Sequence, residues 1–364
     1  MIETVPVWMW IAGFLLVLGP LVTLHELGHY LVGRWFGVEA RAFSIGFGRE
    51  LVGRTDSRGT RWKLSAIPLG GYVQFRGDMN PASVGGNGQQ EQGSFHAARL
   101  WQRALIVAAG PVANLAIAVA IFAAFNLAYG KVETSTVVGG FAEQSAAREA
   151  GLRVGDRIVA IDGAATESFD QLGSRVLMHP GRTVTLSVER DGRQLSLPVT
   201  IASVTDTDRF GNESRIGRIG VLAGDPVIRQ VGAVEAVSLA GEQTLGLMRM
   251  MVTGVGQIIT GARSVDELGG PIKIAKFSGE QLSMGWLAFA SFAALISINL
   301  AFINLLPIPG LDGGHLAFYA AEAVRRRPVD ARSTEWAYRG GIALVLALML
   351  FVTINDITAL LRFG

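Results

Sequence analysis

Cysteine is absent from all 364 residues, which excludes disulfide staples and thiolate metal sites. Charge is scarce as well. Only 17% of the residues are Asp, Glu, Lys or Arg, against 50% hydrophobic, and mean hydropathy is +0.37. That is too apolar for a purely soluble domain of this length, so the class is a membrane protein. The net charge of +2 lacks the basic excess that a nucleic-acid partner calls for, and none is expected. Histidine is sparse, at five residues, yet without cysteine these are the only soft metal ligands available. Met1 to Pro6 carry no basic residue ahead of an apolar run starting at Val7. That run is therefore expected to be retained as a helix and not cleaved as a secretory signal.

Two of the five histidines fall inside this first apolar run, in the order His25-Glu26-Leu27-Gly28-His29. This is H-E-x-x-H. Imidazoles four apart share one helix face and can hold one zinc, while the glutamate between them can act as general base on water. The competing reading is a pair of helix-face histidines satisfied by neighbours. Ionisable groups within a membrane span are costly and mark function, and three stand together here.

Four segments are long enough to cross about 30 Å of hydrocarbon at 1.5 Å per residue: 7–31, 104–127, 286–306 and 341–361. No Lys or Arg precedes Arg34, whereas ten lie between Arg34 and Arg103 and five between Arg325 and Arg339. The positive-inside rule makes both of these loops cytoplasmic. Both termini and the long 130–285 segment are then expected in the periplasm of a bacterial inner membrane, with the histidines near the cytoplasmic leaflet.

In the first cytoplasmic loop, Leu51-Val52-Gly53 and Trp62 to Ile67 flank Asp56-Ser57-Arg58-Gly59, which predicts a β-hairpin within about 42–75. Two readings stay open: a peripheral hairpin on the membrane surface, or an edge strand able to pair with an extended substrate backbone. Residues 80–94 read as a glycine-rich loop.

Further along, 129–205 predict a compact α/β domain, with a helix near 142–150 and strands 183–190 and 194–200 joined at Asp191-Gly192. Its Gly151-Leu152 through Gly155-Asp156 to Ile161-Asp162-Gly163 run resembles a bacterial PDZ domain, a peptide-capturing module. A bulky size filter is the alternative role. Residues 206–284 read as a linker with an amphipathic helix over 234–262, interrupted by Glu235, Glu242 and Arg249 and so not a fifth crossing.

A catalytic zinc site needs a third protein ligand. The third span runs into Asn304-Leu305-Leu306-Pro307-Ile308-Pro309-Gly310-Leu311-Asp312-Gly313-Gly314-His315. Asp312 can supply an oxygen; His315 as third ligand, or Asp312 as a helix cap, are the alternatives.

These motifs together resemble the site-2 protease family of intramembrane zinc metalloproteases, most nearly its bacterial sigma-E-regulating branch. The likeness rests on the His25–His29 motif, Gly46-Phe47-Gly48, Pro68-Leu69-Gly70-Gly71-Tyr72, Gly110-Pro111-Val112-Ala113-Asn114, the PDZ-like insert, Gly269-Gly270-Pro271-Ile272, and the Asn304-to-Gly314 run. The resemblance implies His25, His29 and Asp312 as zinc ligands and Glu26 as acid/base. It implies that the hairpin enters the membrane and guides substrate, with Gly46, Phe47, Gly48 and Asn304 positioning it. Several relatives carry two PDZ domains; here one is read.

The expected fold is thus a polytopic α-helical membrane protein. It has an N-terminal membrane half at 1–128 with the zinc-binding helix and hairpin, the PDZ-like domain at 129–205, the linker region at 206–284 and a C-terminal membrane half at 285–364. The expected activity is Zn2+-dependent hydrolysis within or beside transmembrane segments of single-span proteins such as anti-sigma factors or signal-peptide remnants, in contact with membrane lipid. A metal-dependent transporter or non-proteolytic scaffold is the alternative; transport calls for polar groups spread through several spans, and here they cluster.

Overall fold

A computed structural model of the chain describes residues 5–77, 92–133, 135–166, 168–207, 213–224, 227–261, 265, 269–327 and 330–363. Most of the glycine-rich loop expected at 80–94 lies outside them. Helix α1 (Val7–Trp35) leads into strands β1 (Ala40–Thr55) and β2 (Arg61–Phe75), and α2 (Leu100–Tyr129) follows. Then come β3 (Lys131–Glu133), β4 (Val138–Phe141), α3 (Ala146–Glu149), β5 (Arg157–Ile161), β6 (Ala164–Ala165) and α4 (Phe169–Leu177). Strands β7 (Thr183–Arg190), β8 (Arg193–Thr200), β9 (Ala202–Thr207), β10 (Glu213–Arg218), β11 (Val221–Ala223) and β12 (Val227–Arg229) continue the chain. Five helices close it: α5 (Ala233–Ile259), α6 (Pro271–Ser283), α7 (Trp286–Leu305), α8 (Asp312–Arg325) and α9 (Ala331–Phe363).

Among the described residues four helices are long and apolar enough to cross a membrane: Val7–Trp35, Leu100–Tyr129, Trp286–Leu305 and Arg332–Thr358. They coincide with the four segments read from the sequence, each within a few residues except the last, which starts nine residues earlier. The chain is a membrane protein. Helix α5 is not one of the four. Strands β10 to β12, the last two residues of β9, and helix α6 occupy the 206–284 stretch expected as linker. The strands are short, and α6 has only 13 residues, so neither leaves a strong periodic signal.

The chain divides into two compact units. One comprises Ala123–Leu239 and Arg249–Glu267. Its four-stranded sheet runs β6-β5-β7-β8, and its core is Val138, Leu152, Ile158, Leu172, Leu186, Val188, Val199 and Ile201, among others. The β7–β8 hairpin turns at Asp191 and Gly192, both with positive φ (51° and 74°), as a two-residue turn of this hand requires. Asp156, 2% exposed, organises the turn before β5. Its Oδ2 accepts from the Arg153 N–H (2.7 Å), and Arg190 donates to its Oδ1 from Nε (2.7 Å) and to its Oδ2 from Nη2 (2.6 Å).

The other unit holds Val5–Phe122, Ala240–Met248 and Leu268–Gly364. Helix α1 ends at a left-handed glycine, Gly37 (φ 80°), where the Val38 and Gly37 N–H groups cap the carbonyls of Gly33 and Arg34. The hairpin that follows is bent on itself. Segment 40–45 pairs antiparallel with 71–75, and 50–55 pairs antiparallel with 61–65, while 42–45 also lies beside 61–64. Bends at Gly46 (φ 88°) and Gly48 (φ 87°) make this possible. Asp56 closes the turn by accepting from the N–H groups of Arg58 and Thr60 and from the Trp62 indole. Tyr30, Val38, Phe43, Phe75, Ile106 and Val107 form the core under the hairpin. Val17 and Leu21 of α1 pack with Phe289 and Ile296 of α7 in a second cluster. On a third face, Gly13 of α1 lies against the Ser278 backbone of α6.

Candidate metal centre

The site is built on α1. Four residues make slightly more than one turn, so the His25 and His29 rings stand on one face, with centroids 4.8 Å apart and planes at 85°. Both are buried. Their Nε2 atoms are 3.2 Å apart. Glu26, about 100° further round the helix, has its own partner: its Oε2 accepts from the Val73 N–H of β2 at 3.1 Å. The outer edge of segment 71–75 therefore lies directly beside this carboxylate, while Gly71 has no side chain because a Cβ there would come within 2.6 Å of the Ser44 carbonyl of β1.

Helix α2 supplies the floor. Gly110 has no side chain where one would collide with both imidazoles. One turn before it, the Ile106 carbonyl accepts from His29 Nδ1 at 2.8 Å, and one turn after it, Asn114 Nδ2 lies 3.2 Å from His25 Nδ1.

The third group arrives from the break after α7. Pro307 and Pro309 cannot continue a helix, and Gly310 takes φ 101°, so the chain turns and restarts as α8 at Asp312. Gly313 and Gly314 are buried against the carbonyls of Leu305, Leu306 and Ile308, too tightly for any side chain. This brings Asp312 Oδ2 to 3.2 Å from His25 Nε2 and 3.5 Å from His29 Nε2. The residue preceding α8 is Leu311, with no side-chain cap, so Asp312 does not act as a cap. Its Oδ2 is buried with no hydrogen-bond partner, a costly state unless a cation sits against it. His315 turns away and pairs with the Tyr338 hydroxyl at 2.6 Å.

His25, His29 and Asp312 are the one group of three or more such side chains among the described residues able to hold a metal ion. Their donor atoms stand 3.2, 3.2 and 3.5 Å apart. A tetrahedron with zinc–N and zinc–O bonds of about 2.0–2.2 Å has edges of about 3.3–3.6 Å. The residues present fit such an ion, with a fourth corner left over.

The pattern of Peptidase family M50 matches residues 13–348. The chain belongs to peptidase family M50. The motif order read above as site-2-protease-like agrees with that membership. A "putative zinc metalloprotease" of Agrobacterium fabrum is 44% identical over 363 residues, covering 97% of this chain and 96% of that protein. One of the same description from Mesorhizobium japonicum is 41% identical, covering 94% and 97%. Metalloprotease MmpA of Caulobacter vibrioides is 34% identical, covering 95% of each.

Other expected site residues lie apart from the donor cluster. Gly46, Phe47 and Gly48 form the bend of β1, where Phe47 stacks on Tyr72 with centroids 5.9 Å apart. Asn304 is half-buried near the end of α7, and its side chain has no hydrogen-bond partner among the described residues. Sequence reasoning assigned no role to Ile106, Gly110, Asn114 or Val73. A signal was available for two of them, since Gly110 and Asn114 belong to a motif noted only for its resemblance. The Ile106 carbonyl and Val73 N–H are main-chain groups, which no residue type announces.

Proposed function

We propose that this chain is an intramembrane zinc metalloendopeptidase, hydrolysing a peptide bond in or beside a transmembrane segment of another membrane protein. The observation that carries the reading is three converging donor atoms, two of them on a helix apolar enough to span a membrane. Exposed Trp8 and Trp35 stand near the two ends of that helix, as interfacial tryptophans do. At 1.5 Å per residue, His29 and His25 lie about 9 and 15 Å in from Trp35. That depth is inside the hydrocarbon, on the side of the arginine-rich loop.

In this reading His25, His29 and Asp312 hold the zinc. When bound, zinc supplies Lewis acidity, polarising the scissile carbonyl and making water acidic enough to lose a proton near neutral pH. Glu26 takes that proton and returns it to the leaving amine. The hydrogen bond from Val73 keeps its carboxylate beside the reaction space until the proton moves. Helical carbonyls are engaged and shielded, so the substrate segment must first unwind. An extended substrate laid along the 71–75 edge would regain main-chain hydrogen bonds, with Asn304 and the Gly46-Phe47-Gly48 bend as positioning elements.

The compact unit around β5, β7 and β8 supports a PDZ-like domain at 129–205, as peptide-binding module or size filter, between membrane halves at 1–128 and 285–364 with a linker region at 206–284. The loop charges support a bacterial inner-membrane location with the arginine-rich loops cytoplasmic and the termini and PDZ-like domain periplasmic. Single-span membrane proteins, such as truncated anti-sigma factors or signal-peptide remnants, are the substrate class, and membrane lipid is the surrounding partner.

Incubating purified protein with a tagged single-span substrate tests the reading. Cleavage is expected, is lost on adding a zinc chelator, returns with zinc, and is absent in Glu26→Gln with metal content preserved. Cleavage that survives both chelation and Glu26→Gln would overturn it.

A further inference from the structure

We propose that Asn114 is a positioning residue for the metal centre: its amide oxygen accepts the Nδ1 proton of His25 and so fixes the tautomer whose Nε2 lone pair faces Asp312 and His29. The inference rests on the zinc-site reading above and extends it to the layer behind the ligands.

A neutral imidazole carries one proton, and the nitrogen that binds a metal must be the one without it. Both ligand histidines face the cluster through Nε2, so each needs an acceptor for an Nδ1–H. His29 has one in the Ile106 carbonyl at 2.8 Å. For His25 the group at this place is the Asn114 amide, 3.2 Å away and fully buried. The two partners lie eight residues apart on α2, one turn either side of Gly110. Helix α1 presents its histidines four residues apart, so each ring meets its own partner across the helix that touches both.

The amide of Asn114 has two faces of nearly identical shape. As placed, its Nδ2 faces His25 and its Oδ1 is buried with no hydrogen-bond partner. That orientation suits a His25 whose proton sits on Nε2 beside the Asp312 carboxylate. A half-turn of the amide exchanges donor for acceptor. Oδ1 then receives the Nδ1 proton, Nε2 is freed for the ion, and the orphaned oxygen gains its partner. The backbone here is held independently: Ser297 Oγ of α7 donates to the Asn114 carbonyl at 2.8 Å, so the side chain can turn without moving the helix.

The test measures zinc affinity of the purified full chain by chelator competition, alongside thermal unfolding of the metal-free protein. Asn114→Leu preserves the shape and removes the acceptor; a loss of about 10- to 100-fold in zinc affinity is expected, with the metal-free unfolding midpoint little changed. Asn114→Asp keeps an acceptor oxygen and is expected to retain most of the affinity. Ser297→Ala, which loosens the α2–α7 contact but leaves the amide, is expected to stay within about threefold of the parent. Unchanged affinity in Asn114→Leu overturns the proposal, as does equal loss in Asn114→Asp or Ser297→Ala, or a Leu variant destabilised without metal by as much as it loses in binding. Failure of the parent chain to bind zinc at all would instead sink the zinc-site reading.

Discussion

At the residue scale, each member of the donor cluster is there because another residue is small. Gly110 leaves room for the two rings, and Gly313 and Gly314 let α8 begin against the end of α7. The H-E-x-x-H motif was legible at once because its chemistry sits in five consecutive residues. The third donor was not, since Asp312 and His315 lie three residues apart on one short segment, and no spacing rule chooses between them. Geometry does: Asp312 reaches both Nε2 atoms, while His315 is engaged by Tyr338. Asp312→Ala is therefore expected to drop bound zinc from about one per chain to a small fraction of that, whereas His315→Ala should retain it. Elemental analysis after dialysis reads both, and the opposite pattern would make His315 the ligand.

At the element scale, α6 shows how a motif noted only for its resemblance acquires a physical cause. The α6 N-terminus would leave buried N–H groups unpaired. Asp356 of α9, itself buried, accepts from Gly270, Ile272 and Lys273 at 3.1, 3.1 and 3.0 Å. A Cβ on Gly270 would come within 2.7 Å of that carboxylate, and Pro271 at the first helical position has no N–H to satisfy. Because α6 packs against Gly13 of α1, the clamp braces the helix that carries the histidines. Asp356→Ala should cost about 2–3 kcal/mol, seen as a lower thermal midpoint and faster amide exchange at residues 272–275; unaltered exchange there would mean that the carboxylate does not hold the helix.

The turn before β5 makes a different prediction at the same scale. The hydrogen bonds from Arg190 hold the Asp156 carboxyl below the usual carboxylate range. Its folded pKa thus lies beneath the unfolded value of about 3.9. The stabilisation is complete above that value and is lost as pH falls through the lower, folded one. Calorimetry in detergent should show the transition of this unit steady from pH 7 to 5 and falling on further acidification. Asp156→Asn should start lower, by about 2 kcal/mol at pH 7, and depend less on acid; a variant as acid-sensitive as the parent would remove Asp156 as the cause.

At the scale of the whole molecule, composition and charge placement carry the argument. In the proposed topology, the four apolar helices, with arginine-rich connections after the first and before the last, alternate across the bilayer. The chain has no cysteine, so a single introduced thiol reports its own side without background. Ser57→Cys in the hairpin turn is expected to react with an impermeant maleimide only when the cytoplasmic face is presented, and Gln194→Cys only from the periplasmic face. Labelling of both from one side would refute the orientation.

The sequence by itself determined the membrane class, the four helices long and apolar enough to span, the H-E-x-x-H motif and the presence of an α/β insert. Each of these rests on local composition or on spacing within one element, which periodicity and motif record directly. Only the tertiary structure decided that Asp312 joins the histidines, that Glu26 faces the Val73 amide, that α2 backs both rings, and that Asp356 caps α6. Those relations join side chains and backbone groups tens to hundreds of residues apart, through close packing at glycines whose partners no single stretch of sequence names.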